Sequence, residues 1–94
     1  MKVFWSPLAV EDLEAIHAYI AEENPSAARK IAQIIRSAAE KLADFPDLGR
    51  TGRVQGTREL VIAGTAYIVV YARVENELWL VNVLHGRRQW PESF

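Results

Sequence analysis

At Phe45-Pro46 the hydrophobic pattern of this chain changes period, and that change limits the folds open to it. Before it, apolar residues recur every three or four positions; after it, they come in short runs rich in β-branched and aromatic side chains, the marks of helix and strand respectively. The chain is therefore predicted to form helices first and a sheet second.

The helical half is punctuated twice by the same device. Ser6-Pro7 and Asn24-Pro25 each place a capping side chain before a proline at the first helical position, where a missing N–H costs nothing. In the first helix Ala9, Leu13, Ile16 and Ile20 form one stripe, with Glu11, Glu14 and His17 off it, and the helix is expected to end near Glu23. In the second, Ala27, Ile31, Ile34, Ala38 and Leu42 form the stripe and Ile35 widens it. So short a break predicts an antiparallel hairpin, which the alanines at 27, 28, 38 and 39 allow to close tightly.

Residues 47–56 (DLGRTGRVQG) read as a glycine-punctuated loop. Beyond it, residues 57–63, 65–74 and 77–85 read as strands separated by Gly64 and by a Glu75-Asn76 turn, connections short enough to make neighbours antiparallel. Lys2 to Trp5 adds a short N-terminal strand, expected at a sheet edge. The expected class is α+β: one domain over residues 1–94, β-α-α-β-β-β, a small antiparallel sheet with a helical hairpin on one face. Trp5 and Trp79 are expected in the core, and Tyr67, Val69 and Tyr71 on one face of their strand.

In the last predicted strand Trp79, Val81 and Val83 alternate with Leu78, Leu80 and Leu84, so both faces are apolar. A hairpin covers only one face. The leucine row is left to be covered by the chain's own tail, to stand as scattered surface leucines, or to receive a partner.

Composition removes several kinds of function. There is no cysteine, hence no disulfide, thiolate metal site or thiol nucleophile, and two histidines make a metal site improbable; no cofactor is expected. No stretch approaches the ~20 apolar residues of a membrane span and MKVFWSPLAV does not read as a signal peptide, so a cytoplasmic protein is expected. A net charge of −1 argues against a surface that binds nucleic acid indiscriminately. The charge is unevenly placed, however. Residues 1–48 carry five Lys and Arg against eight Asp and Glu, whereas residues 49–94 carry six cations, all arginine, against four carboxylates. Arginine's rigid fork suits an anionic partner, though a solvated face needs no such partner.

Several segments together resemble the RelE/ParE superfamily of type II toxins, in particular its ParE-like branch: W-SPLAVEDLEAIHAYIAEENPSAARKIAQII, LADFPDLGR, R-ELVIAGTAYIVVY and VNVLHGRRQWP, spanning about residues 3 to 91. The resemblance implies a small toxin held inactive by a cognate ParD-like antitoxin, with Leu78, Leu80 and Leu84, and Arg50, Arg53 and Arg58, as its expected contacts. It also implies one of two activities. ParE-like members poison DNA gyrase, with GyrA the expected subunit and DNA met only indirectly; RelE-like members cleave messenger RNA in the ribosome.

Cleavage through a 2′-hydroxyl needs a base, a cation for the phosphorane and an acid for the leaving oxygen. RelE-like members supply these largely with lysines and arginines, yet residues 49–94 contain no lysine, and Ile68 stands where the family often has an arginine. His85, with Arg73 and Arg87 as cations and Glu59 as a distant base, is the incomplete set that remains. His85 reads equally as a residue fixing the turn at Gly86. The gyrase reading is therefore favoured, with Arg87, Arg88, Trp90 and Phe94 of the tail as expected target contacts, since cations and large aromatics are enriched where binding energy concentrates.

Overall fold

The structure, a computed structural model, describes residues 1–86. Its elements are β1 (Lys2–Trp5), α1 (Pro7–Ala21), α2 (Pro25–Lys41), β2 (Arg50–Thr51), β3 (Arg58–Val61), β4 (Tyr67–Val74) and β5 (Glu77–His85). Both helices begin where their caps predict: Ser6 Oγ accepts from Ala9 N at 3.1 Å and Asn24 Oδ1 from Ala27 N at 3.0 Å.

The five strands form one sheet in the order β1-β5-β4-β3-β2. All neighbours are antiparallel except β1 and β5, which run parallel. Hairpin geometry dictates direction only between strands joined by short turns; β1 reaches β5 across the whole helical hairpin and is free of that constraint. Strand β2, inside the segment read as loop, pairs Arg50 with Glu59 and Thr51 with Arg58. Two residues of strand are too short for any period to reveal.

The helices pack on one face of this sheet around Ala9, Leu13, Ala32, Ile35, Leu42, Val69, Tyr71, Leu78, Leu80 and Val83. In α2 the fully buried line is Ala28, Ala32, Ile35 and Ala39, one position on from the predicted stripe, while Ile31, Ile34 and Ala38 pack at the margin of the core. Alanine at the closest approach lets the helices sit near each other, and the larger isoleucines fill the flank.

Strand β5 overturns one expectation. Leu78 and Leu80 are not an uncovered row: both are 0% exposed and lie under the helices. Val70 pairs with Asn82 and Tyr71 with Leu80, so Val81 has no partner opposite and the strand bulges there. A bulge shifts the alternation by one residue, which puts Leu78 and Leu80 before it, and Val83 after it, on the same helix-covered face. Leu84, paired with Ile68, falls on the other face and is half-buried. Trp79 also departs from the core reading. It lies on the face away from the helices, stacked on Phe4 with ring centroids 4.9 Å apart.

Candidate functional site: a pinned arginine loop, a histidine at the strand end and the sheet edges

The segment from Phe45 to Thr57 is tied down by three side chains of β3 and β4. The Tyr71 hydroxyl donates to Pro46 O at 2.7 Å and accepts from Gly49 N at 2.9 Å. A Cβ on Gly49 would sit 2.7 Å from that hydroxyl and 2.9 Å from Glu59 O, so only glycine permits the approach. Arg58 Nη1 donates to Gly49 O at 2.7 Å, and Arg58 Nε lies 3.7 Å from Asp47.

Glu59 is the buried centre of the network, 2% exposed. Its Oε1 accepts from Arg50 Nη2 at 3.1 Å and lies 3.8 Å from Arg53 Nε, and its Oε2 accepts from Arg53 N at 2.7 Å. The three arginines expected to solvate the loop or meet a partner therefore hold carboxylates of their own chain, while their guanidinium groups stay about half open to solvent at Arg50 and Arg53. As a base Glu59 is badly placed, since its oxygens are already engaged and shielded.

Burial raises the Tyr71 pKa above its ordinary value, against the opposing pull of the Gly49 N–H and Arg58. In the unfolded chain the phenol ionises near pH ~10, whereas the folded protein keeps the proton longer. This contribution to stability is complete below pH ~10 and is lost as pH rises through the folded value. Urea unfolding from neutral to alkaline pH is expected to show that loss. Tyr71→Phe is expected to reduce its steepness, while lowering stability at neutral pH by about 1–3 kcal/mol because Gly49 N and Pro46 O lose their buried partner.

His85 ends β5 with its ring edge-on to Tyr67, centroids 5.6 Å apart. Gly86 N donates to Ala66 O at 2.8 Å. The histidine borders an open cleft of about 800 Å³ whose walls include Ile31, Val61, Thr65 and Ile68. Arg73 is not near it. Tyr67 pairs with His85 and Arg73 with Leu78, so six residues of strand separate the two positions, about 20 Å at ~3.3 Å per residue. The residues that sequence reading gathered as a nuclease set, His85, Arg73 and Glu59, are thus spread over the sheet. Arg87, like the target-contact candidates Arg88, Trp90 and Phe94, lies outside the described residues. Among the described residues no cluster of His, Asp and Glu is placed to hold a metal ion.

One functional-looking carboxylate escaped the sequence reading. Strand β1 leaves the sheet at Trp5, so β5 loses its neighbour beyond Leu80, and the first turns of α1 take over. Ser6 N donates to Leu80 O at 3.0 Å, Ser6 Oγ donates to Val81 O at 2.9 Å, and Asp12 Oδ2 accepts from Val83 N at 2.8 Å and from Asn82 Nδ2 at 2.9 Å. At the sequence level Asp12 looks like one more acid near a helix start; its partner lies 71 residues away. Asp12→Ala is expected to cost about 1–3 kcal/mol by leaving those donors unpaired, and to uncover a strand edge prone to self-pairing. Chemical denaturation together with light scattering would register both effects.

A two-helix layer on a five-stranded mixed sheet, with a polar clamp on its central hairpin, defines a small α+β domain of the kind found in bacterial toxin-antitoxin toxins. A family model described as the ParE toxin of the type II toxin-antitoxin system, parDE, matches residues 3–90, and the chain belongs to that family. It is 37% identical to a Sinorhizobium fredii (strain NBRC 101917 / NGR234) protein named "Putative toxin Y4kP", over 97% of this chain and 94% of that one. It is 33% identical to "Toxin RelE2" of Caulobacter vibrioides, over 93% and 97% of the two chains. Among solved structures, one titled "Chromosomal ParDE TA system from P. aeruginosa" superposes with a TM-score of 0.79 at 24% identity, over 88% of this chain and 92% of that chain. At that identity the likeness is one of fold. No helix among the described residues is long and apolar enough to cross a membrane.

Proposed function

We propose that this toxin acts in the cytoplasm by inhibiting DNA gyrase, contacting GyrA and stabilising the cleaved gyrase–DNA complex, and that a ParD-like antitoxin neutralises it. The observation that carries this reading is the dispersal of the candidate nuclease groups. A phosphoryl-transfer site needs its base, cation and acid within hydrogen-bond reach of one substrate, and here Glu59 is enclosed by Arg50 and Arg53 while Arg73 is about six strand residues from His85. Without lysine in residues 49–94, no other described cation on the sheet stands in for them. The family match supports the toxin class; relatives named RelE keep ribosome-dependent cleavage of messenger RNA as the competing activity.

The target contacts in this reading are Arg87, Arg88, Trp90 and Phe94, and the antitoxin contacts are Leu84 with the half-open arginines Arg50, Arg53 and Arg58. The test is a pair of assays on the purified chain. Gyrase with relaxed plasmid is expected to accumulate cleaved DNA in the presence of the toxin, and translating ribosomes to keep their message intact. Deleting residues 87–94 is expected to remove the gyrase effect with the melting temperature nearly unchanged. Message cleavage at the ribosomal A site, lost on His85→Ala with the fold retained, would establish the nuclease instead.

A further inference from the structure

The sheet has three stretches of strand edge without a strand neighbour, and they are treated differently. The outer edge of β1 is four residues long, bounded by the charged Lys2 and the Ser6-Pro7 break. The β5 edge past β1 is closed by Ser6 and Asp12 as far as Val83. The third lies on β3. Strand β2 pairs only with Arg58 and Glu59, so nothing in the sheet flanks the chain from Leu60 to Ala63. Ile62 N donates inward to Tyr67 O at 3.1 Å, and strand alternation therefore turns the N–H and C=O groups of Val61 and Ala63 outward. No charged side chain occurs in this stretch, whose sequence is LVIA. Charges, prolines and bulges are how sheets ordinarily protect such edges.

Alongside this edge runs a groove of about 400 Å³, walled by Ile34 and Ala38 of α2, Leu48 of the loop and Leu60 of β3. Val61 is 53% and Leu48 54% exposed, large apolar side chains left open beside unpaired backbone groups. Lys41 is the only charged residue lining the groove. The flanking helix is basic as well: α2 carries Arg29, Lys30, Arg36 and Lys41 against the single carboxylate Glu40.

We propose that the β3 edge from Leu60 to Ala63 is a docking site for an extended, acidic segment of another protein. The segment adds a sixth strand beside β3, with main-chain hydrogen bonds to Val61 and Ala63, alternate apolar side chains against Ile34, Ala38 and Leu48, and a terminal carboxylate toward Lys41. Strand addition draws its affinity from the backbone and its selectivity from alternate side-chain pockets. Charge decides between this occupant and a second copy of the chain, because pairing two β3 edges would bring one basic α2 toward another. The site stands whichever target the toxin meets.

The probe is a capped peptide, Glu-Val-Thr-Val-Thr-Val-Glu, titrated into the isotopically labelled full-length chain. Saturable amide shifts and slowed hydrogen exchange are expected at Val61 and Ala63, with shifts at Ile34, Ala38 and Leu48. The same core ended with lysines is expected to bind at least tenfold more weakly, and Lys41→Glu to reverse that order. Val61→Pro, which removes an outward donor without breaking a ladder bond, is expected to abolish the shifts, its fold checked by an unchanged spectrum at α1 and β5. Absence of saturable shifts at residues 60–63, or shifts confined to the β5 edge, would overturn the proposal. So would dimerisation of the unliganded chain through Val61, which would assign the edge to a second copy.

Discussion

Leu80→Asp is expected to unfold the protein. Leu80 is 0% exposed, pairs with Tyr71 across β5 and β4, and lies in the cluster shared by Leu13, Ile35 and Leu78. No described cation is hydrogen-bonded in that cluster, so a carboxylate there would be buried without a partner, at a cost of several kcal/mol on top of the lost apolar burial. A domain of this size has about 5–14 kcal/mol of total stability at ~0.05–0.15 kcal/mol per residue. Leu80→Ala separates the two effects: it is expected to cost about 2–5 kcal/mol, lowering the melting temperature by roughly 10–30 °C at ~4–8 °C per kcal/mol. Leu84→Ala, on the opposite face and half-buried, is expected to cost much less. Circular dichroism melts of the three variants provide the check. A Leu80→Asp protein that melts like the wild type would refute the bulge-shifted core.

Glu59→Ala is the second large effect expected, a loss of about 2–4 kcal/mol together with release of the loop. Removing the carboxylate strips Arg53 N of its 2.7 Å acceptor and Arg50 of its ion pair. Hydrogen bonds to charged groups contribute ~1.5–3 kcal/mol each. The loss stays short of the sum because both guanidinium groups are about half exposed and regain water. Glu59→Gln keeps a carbonyl for Arg53 N and drops the charge, so it is expected to retain roughly half the stability lost in the alanine variant. Hydrogen exchange at residues 50–57 should accelerate in both, most in Glu59→Ala. Protection unchanged in that segment would mean that Tyr71 and Arg58 alone hold it.

The order of elements was legible because local rules act within a few residues. Ser6-Pro7 and Asn24-Pro25 cap their own helices, Gly64 adopts the positive φ of 81° that its turn needs, and the Glu75-Asn76 turn joins β4 to β5. The resemblance to ParE-like toxins also rested on contiguous motifs, and the family match spans nearly the same residues. Contacts across the fold are another matter. One unpaired residue, Val81, moved Leu78 and Leu80 from the face assigned by strict alternation to the core, because a period of two has no memory of which side it began on. The parallel direction of β1, the enclosure of Glu59 by Arg50 and Arg53, and the capping of Val83 by Asp12 join residues far apart in the chain or set by side-chain reach. Propensity and period describe a residue relative to its neighbours in sequence. Pairing register, face and ionic partners depend on which surfaces meet, and that is settled when the hairpin of helices closes over the sheet.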